Sequence, residues 1–394
     1  MRRDDMDARG TVGPSGPAAS DLGRAVRGVG PVDATRHPPP ATRQFRMPAE
    51  WELHAATWIA WPHHEPDWPG KLAPIPWVYA EIVRALHPYE RVEILCHDAQ
   101  VADDARAALD AHGVRRDGYR LHVVPNDRVW LRDSAPTGVV GPDGGVALVN
   151  WRFNAWAKYP NYGRDAEVGR AVERITGLER IEPVRPDTGE RVVLEGGAIE
   201  TNGEGLFLVT EECLLSDVQA RNPGLTRDGY EQVFRDYLGV RQTIWLGEGC
   251  VGDDTHGHID DIARFVAPDT IVLAYEEDPA DENHLRSADN MRRLELAGAD
   301  TGALRVVKLP YPRAVEMNGE RLPASYANFY VANGVVLVPT FNDRNDRVAL
   351  NTLAELMPDH HVVGIHAVDL VWGLGTLHCL TQQEPAAASV SARR

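Results

Sequence analysis

RVEILCHDAQVADDARAALDAHGVRRDGYRLHVVP, residues 91–125, reads as strand, helix and strand in that order. RVEILC (91–96) and RLHVVP (120–125) are short runs rich in branched apolar residues, the composition of a strand. Between them, VADDARAALDAHG (101–113) places its apolar residues three or four apart, which is the period of a helix face. Working outward, the same helical spacing recurs at 77–90, 165–177, 229–239 and 286–298. Strand-like runs recur at 145–151, 205–210, 242–247, 269–275, 334–339 and 360–365. The chain is therefore an α/β protein. No internal repeat is visible by matching letters, and from this pattern alone the expected architecture is an open α/β sheet.

With 394 residues, 43% of them hydrophobic, the chain can bury a large core as one big domain or two smaller ones. Residues 1–46 form a separate zone of Gly and Pro (GTVGPSGPAAS, HPPPATRQ) with no apolar face, expected as a disordered tail, with Met47 as an alternative start. Residues 47–385 are the expected folded domain and 386–394 a flexible C-terminal tail. Four scattered cysteines, Cys96, Cys213, Cys250 and Cys379, contain no CxxC pair, so neither a disulfide framework nor a zinc knuckle is indicated. The expected setting is reducing and cytoplasmic. No apolar run approaches a membrane span, and the N-terminus lacks the apolar stretch of a signal peptide. A net charge of −17, from 41 basic and 58 acidic residues, disfavours nucleic acid and is compatible with a cationic substrate.

Three distant segments carry the chemistry. WGLGTLHCLTQQEP (372–385) brings Cys379 in behind Gly373 and Gly375, whose freedom lets a substrate approach the backbone closely. A lone cysteine is more often a small buried hydrophobe. GDDTHGHIDD (252–261) and NDRVWLRDSAP (126–136) supply the histidine and carboxylates that a cysteine nucleophile takes from elsewhere in a fold. If 256–260 is extended, His256, His258 and Asp260 share one side and Asp261 takes the other. The remaining cysteines at 96, 213 and 250 show no such context.

WPHHEPDWPG (61–70), VWLRDSAPT (129–137), NWRFNAWAKYP (150–160), LEGGAIE (194–200), DDTHGHIDD (253–261), ASYANFY (324–330), FNDRND (341–346) and LHCLTQQEP (377–385) together resemble the agmatine deiminases. These form a branch of the guanidino-group-modifying superfamily, which also holds bacterial peptidyl-arginine deiminases. One departure is WGLGTLHC, where the family has something closer to GGGNIHC. The resemblance implies a five-bladed α/β propeller of the pentein type with pseudo-fivefold symmetry. It implies hydrolysis of agmatine to N-carbamoylputrescine and ammonia, a step in putrescine biosynthesis, through a covalent thiouronium on Cys379. By position in the matched motifs, Asp133 and Asp260 clamp the guanidinium, His258 is the acid and base, and Glu195 holds that histidine protonated. Trp130 contacts the substrate, and Asp254, just ahead of THGHID, is the candidate for the distal ammonium. That end of the site is expected to be acidic and free of arginine. No cofactor and no metal are implied. The partner is a small cationic guanidine, with no nucleic acid and no membrane, and similar proteins are dimers or tetramers.

Other readings compete. Peptidyl-arginine carries the same guanidinium. H-x-H-x-D-D is also a spacing at which zinc or manganese is bound in hydrolases, with HDAQ (97–100) and PDHH (358–361) as further ligand candidates. A non-catalytic member would bind guanidino ligands on the same scaffold. More locally, Asp133 could simply pair with Arg132, Trp130, Phe153 and Trp156 could simply fill the core, and Asp253 and Asp254 could only cap their turn.

Overall fold

β1 (His54–Ala60), β2 (Arg91–Cys96) and β3 (Tyr119–Val123) run parallel, linked by α1 (Ile75–Leu86) and α2 (Ala99–Ala111). This comes from a computed structural model that describes residues 44–387 other than 302 and 303, without the side chains of 299–301. Most of the two expected tails, residues 1–43 and 388–394, therefore lies outside the described residues. Within them, Arg46 exchanges backbone hydrogen bonds with Val140 at 3.0 and 2.9 Å.

After β3 the chain makes α3 (Leu131–Ser134), β4 (Thr137–Val140), β5 (Val146–Val149), α4 (Val168–Thr176) and β6 (Glu179–Ile181). Next come β7 (Glu200–Thr201), β8 (Leu206–Thr210), α5 (Glu211–Leu215), α6 (Arg227–Leu238) and β9 (Gln242–Leu246). β10 (Ala263–Ala267), β11 (Thr270–Tyr275), α7 (Asn283–Thr301) and β12 (Arg305–Pro310) follow, then a small hairpin of β13 (Glu316–Met317) and β14 (Glu320–Arg321). The last elements are β15 (Tyr330–Ala332), β16 (Val335–Thr340), α8 (Arg344–Leu356), β17 (His361–His366), α9 (Leu377–Leu380) and β18 (Gln382–Pro385). Hydrogen bonding sorts the longer strands into separate sheets, β18-β1-β2-β3, β4-β5-β6, β7-β8-β9, β10-β11-β12 and β15-β16-β17. The single open sheet expected from the strand pattern is thus replaced by several short ones.

Those sheets share one design. Each has a central strand with an antiparallel neighbour on one side and, through a helical crossover, a parallel neighbour on the other. Parallel strands buried on both faces read as continuous apolar runs, which is why VVLVP in β16 is buried throughout. Local chemistry sets the helix ends. Asp98 accepts from Val101 N at 2.9 Å to start α2, and Asp343 and Asp346 form a capping box at α8. α6 stops at Gly239, whose φ of 70° suits a residue without Cβ.

The repeated design has a consequence for function. The antiparallel strand of each sheet, β4, β7, β10, β15 and β18, is preceded by a tight turn or one-turn helix. Those segments carry Asp133, Glu195, Asp260, Asn328 and Cys379 respectively. β18 pairs with β1, Trp58 opposite Gln382, and so returns the Cys379 segment to the first sheet.

Candidate active site

Cys379 sits in α9, 6% exposed, against a cavity of about 230 Å³ that Trp130, Asp133, Trp156 and Asp254 also line. Asn328 Nδ2 donates to its Sγ at 3.0 Å, and Asp260 Oδ2 lies 3.7 Å from that sulfur. Gly373 and Gly375 do serve close approach, but the approaching groups are protein rings. A Cβ on Gly375 would lie 2.8 Å from Trp130, and one on Gly373 2.7 Å from Trp68. The left-handed residue of the segment is Leu374, at φ 68°.

His258 is walled by acids. Its Nδ1 is 3.9 Å from Asp133 Oδ1 and 4.0 Å from Asp260 Oδ1, and its Nε2 is 3.7 Å from Glu195 Oε2. Neither ring nitrogen nor Asp260 Oδ1 has a protein hydrogen-bond partner among the described residues. Buried polar atoms left open in this way are groups that a ligand or water satisfies. Asp133 is held from two sides, by Trp156 Nε1 at 2.9 Å and Gly197 N at 3.1 Å. It does not pair with Arg132, whose guanidinium turns away to Glu50, Gln383 and the His378 carbonyl. A Cβ on Gly197 would lie 2.5 Å from His258 Nδ1 and 2.9 Å from Asp133 Oδ1, so glycine is what allows the two to converge.

Residues 256–260 are not extended. His256 takes φ 66°, Gly257 φ 90°, and Ile259–Asp261 close a single helical turn. Asp253 enforces this bend, because its Oδ2 accepts from Gly257 N and His258 N at 2.7 and 2.9 Å while its Oδ1 accepts from Thr255. His256 is thereby sent elsewhere, to Ser216 Oγ at 3.1 Å and Glu212 at 3.7 Å. The H-x-H-x-D-D residues therefore do not converge on one point. Among the described residues the donor atoms that do converge are those of Glu195, Cys213 and His258, and of Asp260, Asp261 and Cys379. Cys213, expected to lack chemical context, thus lies beside the site histidine.

The charges are strongly coupled. Burial pushes the Asp133 carboxyl up to about 6, with Asp260 and Glu195 adding to the rise and His258 opposing it. Burial pulls His258 down, yet Asp133 and its other neighbours outweigh this and hold it well above the ordinary histidine range. Burial would raise Glu195, but Arg221, bonded to both its oxygens at 3.1 and 3.3 Å, brings it below the usual value. Asp260, raised by burial, is lowered overall by His378 at 2.7 Å. Burial, then Asp260, Asp261 and Asp133, drives the Cys379 thiol well above its normal range. The site thus combines a thiol, a charged imidazole and an excess of buried carboxylate.

Several neighbours escaped the sequence reading. His378 bridges Asp260 and Glu50, at 2.7 and 2.8 Å, and Glu50 also holds Arg132 and Arg264. Glu50 stands over 300 residues from His378, so only the fold could pair them. Also lining the cavity, Asp254 accepts from Tyr159 OH at 2.7 Å and pairs with Lys158. Asp67 lines the same wall with Oδ2 unpartnered. Arg128 is there too, against the expectation of an arginine-free end, but it is committed to Asp67 at 2.7 Å and Asn161 at 3.2 Å. Phe153 does not reach the cavity and packs edge-on against Trp156 at 5.4 Å.

With this geometry in place, the relatives are informative. The agmatine deiminase of Stutzerimonas stutzeri is 36% identical over 366 residues, 87% of this chain and 96% of that protein. The agmatine deiminase of Pseudomonas aeruginosa is 36% identical over 371 residues, 88% of this chain and 97% of its own length. A solved structure of the agmatine deiminase of Enterococcus faecalis matches with a TM-score of 0.80 and 30% identity, covering 89% of this chain and 98% of that one. The family model described as Porphyromonas-type peptidyl-arginine deiminase matches residues 46–385, the span that holds every residue of the site, and the chain belongs to that family.

Proposed function

We infer that the protein hydrolyses agmatine to N-carbamoylputrescine and ammonia, using Cys379 as a covalent nucleophile. One observation carries this reading. Asp133 and Asp260, both buried, flank His258 at 3.9 and 4.0 Å, and Asp260 reaches within 3.7 Å of the Cys379 sulfur. A guanidinium is planar and cationic, so two carboxylates can hold its charge and fix its plane by paired N–H bonds. The bound cation also offsets the acids that hold the thiol protonated, making the thiolate accessible once substrate is present. The thiol proton passes to solvent, the thiolate attacks the guanidinium carbon, and His258 gives its proton to the departing nitrogen as the C–N bond breaks, so that ammonia leaves a thiouronium on Cys379. His258, now neutral, takes a proton from water as that water attacks, and breaking the C–S bond releases the ureido product. Glu195, 3.7 Å from His258, supports its charged form. We further read the five sheets as blades about an axis through this cavity, since equivalent segments of all five supply the site.

The clamp sets an acid limit. Asp133 titrates near 6, and a protonated Asp133 cannot pair with a cation, so kcat/KM for agmatine is expected to fall about tenfold per pH unit below about 6. A profile flat well below that point would remove Asp133 from substrate binding.

Substrate choice follows from the far end. Agmatine ends in an ammonium, and arginine adds an α-carboxylate there. Asp67 and Asp254 meet that end, Asp67 paired with Arg128 through Oδ1 and Asp254 with Lys158, and Asp67 Oδ2 stays open to a further cation. An α-carboxylate pressed against these acids is expected to lower catalytic efficiency on arginine by about 100-fold or more. Ureido product measured side by side from agmatine, arginine and a blocked arginine peptide tests this. Equal efficiency on arginine, or preference for the peptide, would defeat the agmatine assignment and move the activity to a neighbouring branch. Asp254→Asn should weaken agmatine use, and an unchanged KM would leave Asp67 as the distal acid.

A further inference from the structure

The ASYANFY segment belongs to the motif set, yet nothing in the reaction above uses it. Its Asn328 is fully buried and precedes β15, the place that in other sheets holds Asp133, Glu195, Asp260 and Cys379. The side-chain amide is fully engaged. Oδ1 accepts from Thr376 Oγ1 at 2.7 Å, from His378 N at 3.1 Å and from Cys379 N at 3.4 Å. Nδ2 donates to Cys379 Sγ and to Asp261 Oδ1, both at 3.0 Å. Turned over, the amide would set its NH2 against two backbone N–H donors and its oxygen against a carboxylate and a sulfur, so its orientation is determined.

We propose that Asn328 is the positioning residue of the nucleophile, its oxygen fixing the turn that presents Cys379 and its N–H donating to the thiolate. This rests on the reading of Cys379 as the nucleophile. The ionisable groups facing the sulfur are Asp260, Asp261 and Asp133, and each disfavours negative charge on it. His258, walled by Asp133 and Asp260, supplies the opposing cation nearby. Asn328 adds a neutral donor aimed at sulfur. Such a bond strengthens as its acceptor becomes charged, so it favours thiolate over thiol. Its second N–H engages Asp261 Oδ1, so one amide nitrogen spans the sulfur and the neighbouring carboxylate.

The test is Asn328→Ala, with iodoacetamide modification of Cys379 followed by peptide mass across a pH series. The midpoint is expected to move upward by about one pH unit, and kcat for agmatine to fall about 10- to 100-fold with KM changed much less. A role confined to packing would lower Tm without moving that midpoint. Thr376→Val, which removes one anchor of the amide oxygen, should shift the midpoint the same way by less, and it decides the matter if Asn328→Ala does not fold. Unchanged alkylation profiles and near-parental kcat overturn the proposal. Cys379→Ser separates the two levels. If Cys379→Ser still turns over, the nucleophile reading fails; if it is dead while Asn328→Ala is unaffected, only the role of Asn328 fails.

Discussion

Cys379→Ser is expected to reduce turnover of agmatine by about three orders of magnitude or more while leaving substrate binding largely intact. The reason lies in what surrounds the atom. Sγ is buried beside Asp260, Asp261 and Asp133, and among the described residues its side-chain partners are Asn328 and Asp260, with no imidazole hydrogen-bonded to it to take a proton from a hydroxyl. A thiol in this position ionises when a guanidinium brings positive charge within reach, whereas an alcohol, with a far higher intrinsic pKa, does not. Binding is expected to survive because the proposed clamp, Asp133 and Asp260, is carboxylate and the slightly smaller serine leaves it in place. Calorimetry with agmatine alongside an ammonia-release assay checks both halves. More than a few per cent residual turnover would remove covalent catalysis from the account.

His258→Ala is expected to lower kcat by about 10²- to 10⁴-fold, the range typical of a lost general acid and base. It should also change what accumulates. In the proposed mechanism both proton transfers pass through this ring, but the second must activate water, and an intermediate that cannot hydrolyse remains on sulfur. Mass spectrometry of the variant mixed with agmatine should therefore show Cys379 carrying the thiouronium. Parental kcat, or full turnover without any adduct, would assign the proton transfers elsewhere. Stability supplies a second readout. The folded-state pKa of His258 lies above its unfolded value. The stabilisation it contributes is present below the ordinary histidine pKa and lost as pH rises through the raised one. The gap in Tm between parent and His258→Ala should accordingly be widest in mild acid and narrow in alkali.

How far such residues could be read without coordinates differs from one to the next. Asp133 and Asp260 stand in motif context, and the structure brings both to His258. Asp254 stands out as an acid next to THGHID, but nothing local announces that Lys158 and Tyr159 already occupy it. Strand alternation would put His256 and His258 on one side, but the Asp253 carboxylate bends the chain so that the two rings part. Cys213 gave no signal at all. It follows the N-cap Thr210 in α5, a purely local role, and meets His258 only through packing.

The class of fold was determined by local regularities that need no partner. Apolar spacing of three to four residues and short β-branched runs decide helix and strand wherever they occur, so RVEILC became β2 with no change of boundary. The reaction type likewise rests on residue chemistry carried within short motifs. Division into several sheets, and the meeting of Asp133, Glu195, Asp260, Asn328 and Cys379, required strands far apart in sequence to pair, as β18 does with β1. Long-range pairing depends on burial summed over the whole chain, and no window of sequence contains that sum. The same holds for charge. The acid or base character of His258 and Asp133 comes from desolvation and from each other's field across a few ångströms, quantities that exist only once the chain has closed around them.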